Sequence, residues 1–151
     1  MIKIIIFDIS QDKTALVKKL KTLKENKAAL SSLSTKLSSV VSGTKSLTKA
    51  TTVTCSAFKE SINIVLNLIN QNPSSGRVSR LILKITVVTV VCTTSEKAEL
   101  SSLSTSITAA ETAITQDETS VQSTLTSMQV QLNPFIHSLF QLFPELLRPH
   151  P

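Results

Sequence analysis

Residues 27–35 read KAALSSLST and residues 97–105 read KAELSSLST, so the same nine-residue phrase is written twice, differing only at Ala29 against Glu99. In each copy two leucines stand three positions apart with Ser, Thr, Ala and Lys between them. Leu37 and Ile107 then continue the pattern four positions on. Apolar residues at alternating steps of three and four fall on one face of an α-helix, and a strand, with its period of two, has no use for that spacing. The first stripe runs through Leu16, Leu20, Leu23, Leu30, Leu33, Leu37, Val40 and Leu47, and its stretch from Leu30 onward has coiled-coil spacing, with Thr44 as its one polar member. The second runs through Leu100, Leu103, Ile107, Ala110, Ile114, Val121, Leu125, Met128 and Leu132. A repeated helical phrase predicts helices that bury their stripes on one another.

Composition narrows the fold further. Only two of 151 residues are Gly, and neither Trp nor Tyr occurs. With so little Gly, tight turns of positive φ and phosphate-cradling loops have almost no material. The core has to be aliphatic and the connections few. The sequence therefore predicts an all-α bundle of about four or five amphipathic helices with an imperfect internal duplication. It reads as one helical domain over 1–151: a first unit 1–71, a loop 72–78 around NPSSG, a second unit 79–133 and a C-terminal apolar helix 134–148.

Local signals set provisional boundaries. Ser10 with Asp12 in the following turn, Ser95 with Glu96 and Glu99, and Asn133 before Pro134 each have the form of a helix start. Gly43 suggests a bend, and the β-branched run ATTVTCS at 50–56 a break. Residues 57–70 carry Phe58, Ile62, Val65 and Ile69 on one face and predict a second helix. The segments 1–9 and 81–92 are apolar and β-branched, so the rival fold is α+β with short strands there, paired with each other.

Residues 77–95 have basic, apolar and small-polar parts in the order of a signal peptide, yet they lie in mid-chain and are too short to span a bilayer. A buried structural element is the expectation. The apolar run after Lys3 ends at Asp8, so no N-terminal signal peptide is read, while export stays open. Cys55 and Cys92 are the only cysteines, and form one disulfide in an oxidising compartment or two thiols elsewhere.

Charge is divided by position. Residues 1–84 hold 14 Lys/Arg against 4 Asp/Glu, and residues 85–151 hold 2 against 6. A basic front half and an acidic back half predict halves that attract each other, within one chain or between two. Lys18, Lys19, Lys21, Lys24 and Lys27 cluster in the first helix, but without Arg or interleaved aromatics, so nucleic acid ranks low among partners.

Nothing in the sequence points to catalysis, a cofactor or a metal. His137 and His150 both lie in the tail, away from any Cys or carboxylate at triad or ligand spacing, and no nucleotide-binding or hydrolase motif occurs. The tail concentrates apolar residues at Phe135, Ile136, Leu139, Phe140, Leu142, Phe143, Leu146 and Leu147, a helix expected to bury itself in its own bundle or else to present an adhesive patch. The expected role is that of a non-enzymatic helical interaction or structural protein, acting through helix packing or self-association. The alternative is a secreted or surface-associated helical protein that binds lipid or other apolar ligands through this C-terminal segment.

Overall fold

The structure is a computed structural model that describes residues 2–43 and 51–142, with side chains described for 12–43, 51–128 and Leu142. Thr44, Leu47, Phe143, Leu146, Leu147 and His150 lie outside the described residues. Four helices and two three-residue strands follow in the order α1 (Ile2–Ser42), β1 (Thr52–Thr54), α2 (Cys55–Gln71), α3 (Arg77–Thr86), β2 (Thr89–Val91) and α4 (Thr94–Leu142). The chain is mostly helical, as the three-four spacing predicts.

The two stripes become the core. Leu23, Leu30, Leu33, Leu37 and Val40 of α1 are buried with Leu100, Leu103, Ile107, Ala110 and Ile114 of α4. Phe58, Ile62, Val65 and Ile69 of α2 and Val78, Ile82 and Ile85 of α3 complete it. The segment 77–95 is thus a structural element, with a helix and a strand that contribute to the core. Both copies of the repeated phrase bury their two leucines and leave the serines largely exposed. They lie on α1 and α4, which run in opposite directions.

Those directions follow from side-chain contacts. At one end a Cβ added to Gly43 would come within 3.4 Å of Lys97 Nζ, so the end of α1 meets the start of α4. Further down, Leu20 and Lys24 line a groove with Glu118, Thr119 and Gln122. The helices are therefore antiparallel, with 43 near 97 and 24 near 118. α2 and α3 fill in between, α1 packing on α3 and α4, and α2 packing on the same two helices.

Several boundaries differ from the sequence expectation. α1 begins at Ile2, so Ser10 and Asp12 are interior to it, and no strand forms at 2–9. It ends at Ser42, because Gly43 takes φ 75° and its N–H bonds Val40 O at 3.3 Å, a left-handed helix stop rather than a bend. The start of α4 falls before Ser95: Thr93 Oγ1 accepts from Glu96 N at 3.2 Å, and Glu96 Oε1 accepts from Thr93 N at 2.9 Å. This reciprocal capping box satisfies two donors, where Ser95 offers one. α4 also passes through Asn133-Pro134 without a break. The apolar spacing of Met128, Leu132, Phe135, Leu139 and Leu142 keeps its phase across Pro134, so continuation preserves one face although the proline removes a backbone donor.

The rival α+β reading fails in its pairing. Residues 81–86 are helical, and β2 pairs in parallel with β1: Thr52 with Thr89, Val53 with Val90, Thr54 with Val91. The next pair in that register is Cys55 with Cys92, and these are disulfide-bonded. β1 runs directly into α2 and β2 reaches α4 after two residues, and the α2–α3 crossover between the strands lets them pair in parallel. Thr54 caps α2 by accepting from Ala57 N.

Candidate functional site

The helices differ greatly in length, and that difference creates the site. α2 and α3 have 17 and 10 residues, against 41 and 49 for α1 and α4. One end of the four-helix part is the disulfide and the two strands. The other is the α2–α3 turn, whose level on α1 is fixed by Asn26. This side chain is fully buried, and its Nδ2 donates to Pro73 O and Ser75 O, each at 2.9 Å. Among the described residues, only α1 and α4 continue below Asn26, as a two-helix arm. At 1.5 Å per residue the arm is roughly 35 Å long.

The arm is built differently from the bundle. Its seam is Val121 and Leu125, both buried, with Leu16 and Leu20 half-buried against them. Val17 beside them is 50% exposed. Leu20, Lys24, Glu118, Thr119, Gln122 and Ser123 border the open groove, about 540 Å³. Glu118 Oε1 is buried in the structure without a hydrogen-bond partner.

Carried on, the antiparallel register sets positions 2–9 beside roughly 133–140, so the apolar start of α1 and the apolar finish of α4 share the far end of the arm. Of the tail residues singled out in the sequence, Phe135, Ile136, Leu139, Phe140 and Leu142 fall on the last turns of α4. Leu142 is 71% exposed. The contribution of the opposite terminus is not evident from the sequence alone. Ile2, Ile4, Ile5, Ile6, Phe7 and Ile9 look like a strand there, and only the helix direction brings them to the tail.

Four apolar positions in succession, Ile4 to Phe7, are spread through 300° around a helix. A single antiparallel neighbour covers much less than that.

Charge is distributed along the same arm. Lys18, Lys19, Lys21 and Lys24 are all exposed. Residues 2–24 hold six Lys and two Asp, whereas 119–142 hold no Asp, Glu, Lys or Arg. These two stretches together carry +4, while Glu25, Asp117 and Glu118 stand at the upper end of the arm and bring the whole of it close to neutral. The acidic residues of α4 cluster nearer the bundle, where Glu99 pairs with Lys59 of α2 at 3.3 Å in an exposed contact.

At the opposite end, Leu83, Val87 and Val91 are exposed along the path from α3 into β2. Among the described residues no group of three or more His, Cys, Asp or Glu converges as a metal site. Among them, too, no helix is long and apolar enough to cross a membrane. No family model matches the chain, and no curated protein or solved structure matches it.

Proposed function

We propose that this chain is a non-enzymatic interaction protein. The disulfide-clasped bundle acts as a platform, and the end of the two-helix arm is the surface that docks by apolar and helix-packing contacts. The observation that carries the reading is that the apolar stretches 2–9 and 135–142 fall on the first turns of α1 and the last turns of α4, two helices that run antiparallel. The disulfide suits work in an oxidising compartment, where such a bond persists.

The test compares the full chain with an end variant, Ile5→Asn/Phe140→Asn, on octyl-coated beads and by light scattering over a concentration series. The reading expects the parent chain to be retained on the beads or to associate with rising concentration, and the variant to lose that behaviour while keeping its helical circular dichroism. Equal behaviour of the two would remove the end of the arm as the docking surface. Self-association, the simplest form of helix packing, appears as a mass that grows with concentration.

A further inference from the structure

At the end of the bundle away from the arm stands a bond with chemistry of its own, between Cys55 and Cys92. We propose that this bond is a redox latch, opened by a low-molecular-weight thiol that attacks Cys92 and displaces Cys55. Cys92 is thereby the site of thiolation, and Cys55 the sulfur that leaves.

The two sulfurs of a disulfide differ only through their surroundings. Exchange favours attack on the accessible sulfur and departure of the one whose thiolate is better stabilised. Access separates them first. Cys55 is 3% exposed, whereas Cys92 is half-buried and stands between the exposed Val91 and Thr93.

Charge separates them in the same sense. Cys55 is the first residue of α2, directly after the capping Thr54. Its side chain stands at a helix start, where N–H groups and the helix dipole favour a thiolate. The first turn of α2 holds no acidic residue to oppose that. Burial works against a thiolate at Cys55, and the helix start supplies stabilisation that solvent does not. At the other sulfur, Glu96 Oε1 accepts from Thr93 N at 2.9 Å, the amide of the peptide that joins Cys92 to Thr93. A carboxylate held there opposes a thiolate on Cys92. One turn further along α2 and α4, Lys59 and Glu99 pair with each other and so offset.

The exchange then runs one way. The incoming thiolate sulfur bonds Cys92 Sγ, the Cys55–Cys92 bond breaks, and its electron pair leaves on Cys55 Sγ. A second thiolate displaces Cys92 from the mixed disulfide, which joins the two external sulfurs. Two electrons have passed from the external thiols to the protein, and the two protons released are available to Cys55 and Cys92.

What the latch holds is short. β1 and β2 have three residues each, extended by a bond from Thr89 N to Thr51 O at 2.8 Å. A lone two-stranded pair is marginal in water. Opening the bond frees the strands and the chain from Val87 to Thr93, whereas the buried stripes of α1 and α4 remain packed on each other.

The experiment treats the full, oxidised chain with reduced glutathione, quenches in acid and maps the product by peptide mass spectrometry. Glutathione is expected on Cys92 with Cys55 a free thiol, in roughly tenfold excess over the reverse adduct. Ser56→Asp, at an exposed position, puts a carboxylate in the first turn of α2, where it favours the helix but opposes the Cys55 thiolate. It should slow the exchange about two- to threefold without lowering the urea midpoint of the oxidised chain. The adduct should lose amide protection over β1 and β2 and keep it from Leu103 to Ile114. Equal adducts, an adduct mainly on Cys55, or an unchanged rate in Ser56→Asp would overturn the proposal. So would exchange only as fast as global unfolding, or an adduct that loses protection throughout, since the bond is then a staple and no latch.

Discussion

Asn26 on the first helix and Pro73 in the α2–α3 turn are joined across 47 residues of chain by a 2.9 Å hydrogen bond from Nδ2 to the proline carbonyl oxygen. A second bond of the same length runs to Ser75 O. Asn26 sits three residues after Leu23 and four before Leu30, in the apolar stripe itself, and is fully buried. A polar residue in such a seam favours one alignment over its neighbours, since any shift would leave the amide without those acceptors. It fixes how far down α1 the short helices reach, and so where the arm begins.

Asn26→Ala is therefore expected to lower stability by about 2–3 kcal/mol, through two lost hydrogen bonds and the space left behind. Asn26→Asp should be worse than Ala, because a carboxylate offers no donor to two carbonyl oxygens already at bonding distance. Asn26→Leu should be the mildest, since Oδ1 is buried without a partner and its removal offsets part of the loss. Urea midpoints for the three variants check the order. An Asp variant as stable as the parent would mean that the two bonds do not hold the turn.

The disulfide acts on the opposite end. It links residues 37 apart, so in the unfolded chain it closes a loop that includes α2 and α3. Loop-closure entropy for that length gives about 4 kcal/mol of stabilisation. Reduction, or Cys55→Ser/Cys92→Ser, should move the urea midpoint down by a corresponding amount. The change should centre on the strands and the start of α2, which hydrogen exchange can locate. A reduced chain with an unchanged midpoint would show that the register of β1 and β2 suffices without the bond.

Gly43 ends α1 in a backbone conformation that a side chain makes unfavourable by about 1–2 kcal/mol. The nearest heavy atom to an added Cβ is the mobile end of Lys97, at 3.4 Å, so crowding adds little. Gly43→Ala should accordingly lose only the backbone term, and Gly43→Asn less than Ala, since Asn tolerates the left-handed region better. A thermal melt of the two variants measures the difference. Equal losses would point to crowding instead.

The helical architecture was legible because the three-four spacing of Leu30, Leu33, Leu37 and Leu100, Leu103, Ile107 is a local signal that survives in the packed core. The clasp was harder to read. Thr52-Val53-Thr54-Cys55 and Thr89-Val90-Val91-Cys92 share a Thr-Val-x-Cys pattern, but their pairing depends on α2 and α3 returning the chain to its starting point. Local propensity at 81–92 favours a strand, yet Ile82 and Ile85 bury better on a helix facing α1 and α2, and only 89–91 remain extended. The proposed docking end was half legible. Phe135 to Leu142 announce themselves by composition, whereas the part played by Ile2 to Ile9 depends on helix direction, which no local pattern encodes. Asn26 was present as a polar residue at a stripe position, a signal that gains meaning only with its partners in the turn.

The contrast between bundle and arm should appear as a gradient of stability along α4. Ile114 is fully buried in the four-helix part, while Val121 and Leu125 lie in the seam of two helices. Fewer surrounding elements mean less apolar surface lost on local opening, and segments of that kind open at a free energy below that of global unfolding. Backbone amides from Leu103 to Ile114 should therefore exchange at the rate set by global unfolding, and those from Val121 to Met128 faster by at least tenfold. Ile114→Ala should cost about 2–5 kcal/mol and slow nothing. Val121→Ala should cost less globally and speed exchange mainly within the arm. If amides of both segments exchange together and respond equally to both substitutions, the arm is no separate unit, and its end would have to be held by contacts as extensive as those of the bundle.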